Sequence, residues 1–298
     1  MMVEPIAFGF NESAAETNAF QNRVDASDMD IQKNALLEFT NYVGLLRGHG
    51  IEVIVYQDQK SPWTPDSIFP NNWFSTSPHD RFFLTYPMAN KNRADERRPD
   101  IIKDLIRKND YQLDESLLNH EPKGMFLEGT GSMVLDHRFN IAYACLSPRT
   151  HKVVFEEWCK QSGYKPVSFY SHGSDGTQVY HTNVIMTIAD EYAVICLESI
   201  KDTDERDMVI DHLVKHSKRS IIDITMEQMN RFAGNMLQLK NKEGEKFLVM
   251  SKTANESLNQ EQIDVITLTF GNTIIAPDIN LIETIGGGSA RCMIAELF

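Results

Sequence analysis

The chain has 298 residues, 42% of them hydrophobic, enough to bury a substantial core as one large domain or two ordinary ones. Its formal net charge of −13 argues against nucleic acid and anionic membrane as partners, since both select a cationic surface. It has no run of eighteen apolar residues, no leader-like N-terminal pattern and no paired cysteine spacing, so a cytoplasmic protein without membrane segment or disulfide framework is expected.

Val3 to Phe10 reads as a strand, and the polar stretch Asn11 to Asn18 as a loop over the surface. Ser27 to His49 reads as a helix: Ser27 is a plausible N-cap, Ile31, Ala35, Leu36, Phe39, Val43 and Leu46 recur at helical spacing, and Gly50 follows as a stop. Ile51 to Tyr56 is then a buried strand. From here a pattern recurs. Asn71-Asn72-Trp73-Phe74 leads into a strand, Pro78-His79-Asp80 turns, and Arg81 to Tyr86 returns. The same order follows Glu128-Gly129-Thr130-Gly131, His181-Thr182-Asn183 and Ala233-Gly234-Asn235, with turns at His137-Arg138, Asp190-Glu191 and Asn241 to Gly244. A fifth copy starts at Gly288 and carries Cys292.

Positions 72, 131, 183 and 235 are separated by 59, 52 and 52 residues, and Cys292 lies 57 beyond the last. Helical segments near Arg98 to Asp110, Thr150 to Gly163, Asp202 to Ser217 and Glu256 to Thr267 lie between the copies, with strands at Pro166 to Tyr170 and Ser220 to Ile224. Each unit is therefore hairpin, helix, strand, and such units bury both sheet faces only by stacking or closing around an axis. The fifth hairpin lacks a return strand, while Val3 to Phe10 is a strand without a partner. Pairing that strand with the cysteine-bearing one predicts a single α/β domain over 1–298, a five-unit pseudo-symmetric propeller with the leading strands at its centre.

Gly286-Gly287-Gly288 would deliver Cys292 onto a short apolar run that reads as a strand, a way of presenting a nucleophilic thiol. A dinucleotide loop would need a helix and a further strand after its glycines, and a metal site would need ligands nearer than Cys145, Cys159 and Cys196. A buried structural cysteine beside a tight turn fits this segment alone equally well. If the ring closes, the leading segments converge, and Asn71, Asn72, Glu128, His181, Asn183, Asn235 and Cys292 become neighbours, with the loop Asn11 to Asn18 expected to cover the cavity and help exclude water. A thiolate attacks, an imidazole shuttles protons, and a carboxylate orients the imidazole or holds substrate N–H groups. Taken singly, His181 reads as a satisfied core histidine, Glu128 as a turn residue and the asparagines as turn formers. Their coincidence at matched points of one repeat favours the catalytic reading.

At these residues the chain resembles the guanidino-group-modifying superfamily, the pentein or amidinotransferase-like enzymes. Gly-Gly-Gly-Ser-Ala-Arg-Cys-Met around Cys292 resembles the nucleophile segment of arginine deiminases. Phe126-Leu127-Glu128-Gly129 resembles the family's catalytic carboxylate motif, and His181-Thr182-Asn183 its general acid/base motif. Leu146 to Thr150 resembles the element of dimethylarginine hydrolases whose arginine, here Arg149, binds the substrate α-carboxylate. Ile68 to Asn72 resembles their substrate-clamp strand. The resemblance implies the five-bladed α/β propeller, a covalent cysteine intermediate, an amino-acid substrate, and neither cofactor nor metal. A homo-oligomer is compatible with it. Arg93, in the polar loop Asn90 to Arg93, reads either as a second carboxylate ligand or as a solvated surface charge.

One departure bears on substrate. Relatives acting on guanidines carry Asp where Asn72 stands, and deiminases another where Asn183 stands. An amide donates to a carbonyl oxygen and accepts from N–H, which suits a neutral ureido group, whereas a guanidinium pairs best with carboxylates. The overall pattern is most similar to citrulline-utilisation hydrolases, and a succinylarginine dihydrolase branch also uses asparagine. The expected reaction is citrulline to ornithine, ammonia and carbon dioxide. Arginine deiminase, dimethylarginine hydrolase and amidinotransferase are the alternatives among enzymes; a non-catalytic binding module of the same fold is the alternative from another class.

Overall fold

In the computed structural model, which describes residues 1–298, strands β1 (Met2–Glu4) and β2 (Val55–Gln57) pair in parallel, and the helix Asp28–Gly48 runs between them. Ser27 caps that helix by accepting from Asp30 N, and Gly50 adopts φ +77° beyond its end, as the residue types dictate. Its buried face comprises Ile31, Ala35, Phe39, Tyr42, Val43 and Leu46, while Leu36 is exposed.

Four three-stranded sheets follow, built alike: an antiparallel hairpin, then a helix, then a strand parallel to the hairpin's second member. The first comprises β3 (Phe74–Thr76), β4 (Phe82–Thr85) and β5 (Gln112–Asp114), crossing over through the helix Pro99–Asn109. The next holds β6 (Val134–Asp136), β7 (Ile141–Cys145) and β8 (Lys165–Phe169), with the helix Lys152–Ser162. Then come β9 (Met186–Ile188), β10 (Tyr192–Ile195) and β11 (Ser220–Asp223), with the helix Thr203–Asp211 capped by Asp202. Last are β12 (Leu237–Lys240), β13 (Lys246–Val249) and β14 (Thr273–Ile275), with the helix Gln260–Asp264 closed by an Asn259/Gln262 capping box. Middle strands β7 and β10 are buried throughout, which explains their unbroken apolar runs: neighbours cover both faces.

Two expectations need correction. The leading segments are not strands but single helical turns, at Pro70–Asn72, Gly129–Ser132, Thr182–Ile185 and Ala290–Met293. Cys292 therefore sits on a 3-10 turn rather than a strand. Three or four residues with apolar content look alike in either state, and only the following strand shows the period of two. Secondly, the N-terminal strand ends at Glu4 rather than Phe10, and it pairs with β2 instead of a cysteine-bearing strand. Met1 and Ala295 do exchange two backbone hydrogen bonds, of 2.8 and 3.0 Å, three residues past Cys292.

The leading turns are linked in series. Asn71 Nδ2 donates to Thr130 Oγ1 (3.3 Å), Thr182 Oγ1 to Ser132 O (2.5 Å) and Asn235 Nδ2 to Asn183 O (2.9 Å). Arg291 N donates to Asn235 Oδ1 (3.1 Å), and Thr76 Oγ1 donates to Glu296 O (3.1 Å). One apolar cluster packs Phe39, Tyr42 and Leu46 of the long helix against Ile282, Ile285 and Met293, and Tyr42 OH donates to Ala290 O at 3.1 Å. The long helix thus holds the cysteine turn in place. No helix is long and apolar enough to cross a membrane.

Candidate active site

The glycine triplet ends a helix, Asn280–Gly286, instead of opening a strand. Gly287 takes φ +62°, and a Cβ there would lie 2.6 Å from Asn18 Nδ2 and from Gln21 Cγ, so glycine is required for both backbone and space. The chain then extends through Ser289 and winds into the turn that carries Cys292, 4% exposed. Its Sγ accepts from Asn183 Nδ2 at 3.3 Å and from Asn235 Nδ2 at 3.2 Å, two residues from matched points of successive units. The Thr182–Ile185 turn aims the Asn183 amide N–H at Cys292, and Asn183 Oδ1 has no hydrogen-bond partner.

Glu128 precedes the turn Gly129–Ser132, and His181 precedes the turn Thr182–Ile185. Glu128 Oε2 lies 2.8 Å from His181 Nε2, and Oε1 accepts from Ala89 N at 3.0 Å. Burial would raise the Glu128 carboxyl, but Arg149, the His181 hydrogen bond and Arg93 outweigh it and hold its pKa at about 2. Burial, helped by the Arg149 and Arg93 charges, brings His181 down to about 4 against the pull of Glu128. The pair is therefore a carboxylate and a neutral imidazole at neutral pH, with the ring proton on Nε2 and a lone pair on Nδ1. Gly131 lies between this ring and Asn72. A Cβ at Gly131 would stand 2.2 Å from Asn72 Nδ2 and 2.8 Å from His181 Nδ1 and Cε1, so only glycine lets the two approach. Asn72 Nδ2 has no hydrogen-bond partner.

The other side of the site is charged. Arg149, 1% exposed, places Nη1 3.7 Å from Glu128 Oε2 and donates from Nε to Thr17 Oγ1 (2.9 Å) and from Nη2 to Ala14 O (2.6 Å). Arg93 is buried in a bidentate pair with Glu96 at 2.9 and 3.0 Å, which overturns the surface-charge alternative. Burial opposes its charge, but Glu96 and Asp66 more than compensate and raise its pKa. Asp66, also buried, accepts from Asn11 Nδ2 at 2.7 Å.

Residues 11–21 cover the site. Asn18 Nδ2 donates to Gly287 O (3.3 Å) and Gln21 Nε2 to Gly286 O (2.9 Å). This stretch, polar enough to read as an exposed loop, includes a short helix, Glu12–Ala15, and buries Asn11, Ala14, Asn18 and Gln21 because they bond across the cavity. Under it lies a small cavity of about 10 Å³, room for roughly one water. Cys292, His181, Asn72, Arg93 and Arg149 line it. Glu128 stands behind His181, Asn183 and Asn235 reach the sulfur without lining the cavity, and Asn71 is one layer removed, bonded to Thr130. Sequence reasoning missed Asp66, the lid residue Gln21 and Tyr180, whose OH donates to Gly287 O at 2.7 Å. Only the five-residue spacing of Asp66 ahead of Asn71 hinted at a shared element.

The model of the eukaryotic N,N-dimethylarginine dimethylhydrolase family matches residues 4–298. No curated protein matches. Solved structures do. The N-terminal domain of ArgZ, described as an arginine dihydrolase from the ornithine-ammonia cycle in cyanobacteria and crystallised as a Cys-to-Ser variant with substrate, has a TM-score of 0.73 at 16% identity. The match covers 98% of this chain and 95% of that domain. AgrE in complex with L-arginine gives 0.74 at 17% identity over 98% of this chain and 39% of that longer one. DDAH from Pseudomonas aeruginosa, complexed with citrulline, gives 0.64 at 14% identity over 98% and 96%. At such identities the likeness establishes the fold, a pentein-type α/β architecture into which five sheets of two or three strands fit.

Proposed function

The chain belongs to the N,N-dimethylarginine dimethylhydrolase family and is a cysteine-dependent amidino hydrolase by class, and from that premise we propose that it hydrolyses the ureido group of citrulline to ornithine, ammonia and carbon dioxide. One observation carries the choice of substrate. Asn183 and Asn235 donate their amides to the sulfur, Asn72 lines the same cavity, and of the two carboxylates nearby Glu128 is engaged by His181 and Ala89 N and Asp66 by Asn11 Nδ2. A guanidinium presents five N–H donors and no acceptor, so it would leave the free Asn72 N–H without a partner. A ureido oxygen supplies one.

In this reading Sγ of Cys292 attacks the ureido carbon, and His181 Nδ1 takes the thiol proton and passes it to the terminal nitrogen, which leaves as ammonia. The product is a thiocarbamate on Cys292. Water then attacks that carbon, His181 accepting one of its protons and returning it to the sulfur. The released carbamate loses carbon dioxide to give ornithine. Glu128 keeps the imidazole in the productive tautomer and stabilises it while it is charged. Arg149, with Arg93 behind it, receives the α-carboxylate, and Asp66 receives the α-ammonium. The serial links between leading turns, together with the Met1–Ala295 exchange, support one domain over 1–298 whose ring closes around this axis.

The similarity in fold to arginine dihydrolases favours a second reading, in which arginine is converted by a guanidino step followed by the same ureido step. Ammonia release and amino-acid products, followed separately with citrulline, arginine and dimethylarginine and with Cys292→Ser as the blank, test both. Ornithine from citrulline alone supports the proposal, and ornithine from arginine supports the second reading. Citrulline accumulating from either guanidine, with citrulline itself inert, would show that Asn72 has been misread.

A further inference from the structure

Asn235 is fully buried and does not line the catalytic cavity, yet it is tied to the sulfur. Its amide is held in one orientation. Oδ1 accepts from Arg291 N at 3.1 Å, so the other end of the amide is the nitrogen, whose two N–H groups go to Asn183 O (2.9 Å) and Cys292 Sγ (3.2 Å). The turn behind it is bent to aim it there. Phe232 takes φ +62°, a strained conformation for a bulky residue, and Asn235 N donates to its carbonyl oxygen at 2.8 Å. A Cβ on Gly234 would stand 2.2 Å from Val184 O, so glycine is what lets this segment approach the Thr182–Ile185 turn. Asn183 Nδ2, at 3.3 Å, is the second donor. A thiol sulfur is a weak acceptor and a thiolate a strong one, so two amide donors aimed at one buried sulfur suit an anion.

We propose that Asn235 is a catalytic residue whose amide N–H holds the negative charge that develops on Cys292 Sγ. The charge arises twice. When His181 Nδ1 takes the thiol proton, the electron pair of the S–H bond stays on sulfur until it forms the bond to the ureido carbon. After water has attacked the thiocarbamate, the C–S bond breaks with its electron pair returning to sulfur, which then recovers the proton from His181. In both intervals the Asn235 N–H becomes a charge-assisted donor that is already oriented, so no reorganisation is required. The need for such a donor rests on the ureido reading: a guanidinium would bring a positive charge to the sulfur, and a neutral ureido group brings none. The titratable groups lining the cavity are engaged elsewhere, Asp66 by Asn11, Arg93 by Glu96, Arg149 by the lid, Tyr180 by Gly287 O and His181 by Glu128. On the packed side, Tyr42 donates to Ala290 O and Arg291 Nη1 to Ile294 O.

Labelling of the whole protein by iodoacetamide, read at the Cys292 peptide, tests this without any substrate. Asn235→Ala removes the donor, and Asn235→Asp keeps the oxygen that receives Arg291 N while putting a carboxylate oxygen where the N–H stood. Near pH 7, labelling is expected to be roughly 10-fold slower than in the parent for Asn235→Ala and roughly 100-fold slower for Asn235→Asp. For Asn235→Ala the deficit should narrow to within about threefold near pH 9.5, where hydroxide removes the thiol proton without that donor. With citrulline, kcat should fall by roughly 10- to 100-fold while KM stays within about threefold. Labelling near pH 7 as fast as the parent's in either folded variant, an Asn235→Ala deficit of equal size at both pH values, or a raised KM with kcat unchanged would each overturn the proposal. Asn235→Asp carries the test if Asn235→Ala does not fold. Inert citrulline alongside the expected labelling pattern would remove the ureido reading and leave the role of Asn235 at the sulfur supported.

Discussion

The two halves of the catalytic cavity are built on opposite principles. The side chains hydrogen-bonded to Cys292 are neutral amides, while under the lid Arg93, Glu96, Asp66 and Arg149 form a buried ionisable cluster in which burial pushes both acids up, Glu96 to about 8. The two arginines are tolerated there because Glu96 pairs with Arg93 and Glu128 stands 3.7 Å from Arg149, while Asp66 is held by the amides of Asn11 and Gln21. At the sulfur, a fixed carboxylate would demand a cationic partner, and none is needed if the reacting group is neutral. Reading the end groups and choosing the reacting group are thus tasks given to different chemistry.

The strongest way to break this division is at the sulfur. Cys292→Ser should lower turnover of citrulline by roughly 10⁴-fold or more while leaving the thermal midpoint within a few degrees of the parent. His181→Ala should lower kcat by roughly 10²–10⁴-fold, with partial rescue by added imidazole. Arg149→Gln acts on the charged half and should raise KM by roughly 30-fold or more with a smaller change in kcat, because Glu128 and the α-carboxylate both lose a buried partner. Asn72→Asp moves the boundary between the halves: kcat/KM for citrulline should fall by roughly tenfold or more and guanidinium substrates should gain, measured as the ratio for citrulline over arginine. If the ratio does not move, the amide is not what selects the substrate.

The smallest effect is with pH. His181 must be neutral to accept a proton, and its pKa is lowered from 6.5 to about 4, so kcat/KM should stay level through pH 6 and fall as pH approaches 4. Stability follows the same direction. Below pH 6.5 an unfolded His181 takes a proton that the folded one refuses, and from pH 4.5 down to about 2 Glu128 loses the advantage of its ion pairs. Thermal midpoints should therefore decline from pH 6.5 downward, with His181 contributing first. A midpoint unchanged between pH 7 and pH 4 would contradict the His181 assignment, and one unchanged between pH 4 and pH 2 the Glu128 assignment.

The repeat was readable because its signals are local: turn residues between apolar runs, and helical spacing behind a cap such as Ser27. The gathering of Cys292, His181 and Glu128 was readable because they stand at matched points of that repeat. What escaped were features fixed by contacts distant in sequence. Asp66 gains its place through Asn11 and Arg93, and the polar segment 11–21 is buried only because Arg149, Gly286 and Gly287 lie across from it. The leading turns were misread as strands for another reason: a single turn has too few residues to display a period.

Consider what Arg149 binds when no substrate is present. Its Nη2 meets the carbonyl oxygen of Ala14 and its Nε the hydroxyl of Thr17, two lid oxygens standing where the two oxygens of a carboxylate would be received. The lid is in this respect an imitation of the substrate, tethered to the site by the chain itself. A substrate carboxylate received by Arg149 would have to displace it, so apparent affinity would be the intrinsic affinity reduced by the fraction of molecules with the lid released. Thr17→Ala, which weakens the imitation without touching the catalytic groups, should therefore tighten substrate capture, the reverse of what removing a hydrogen bond beside an active site ordinarily does.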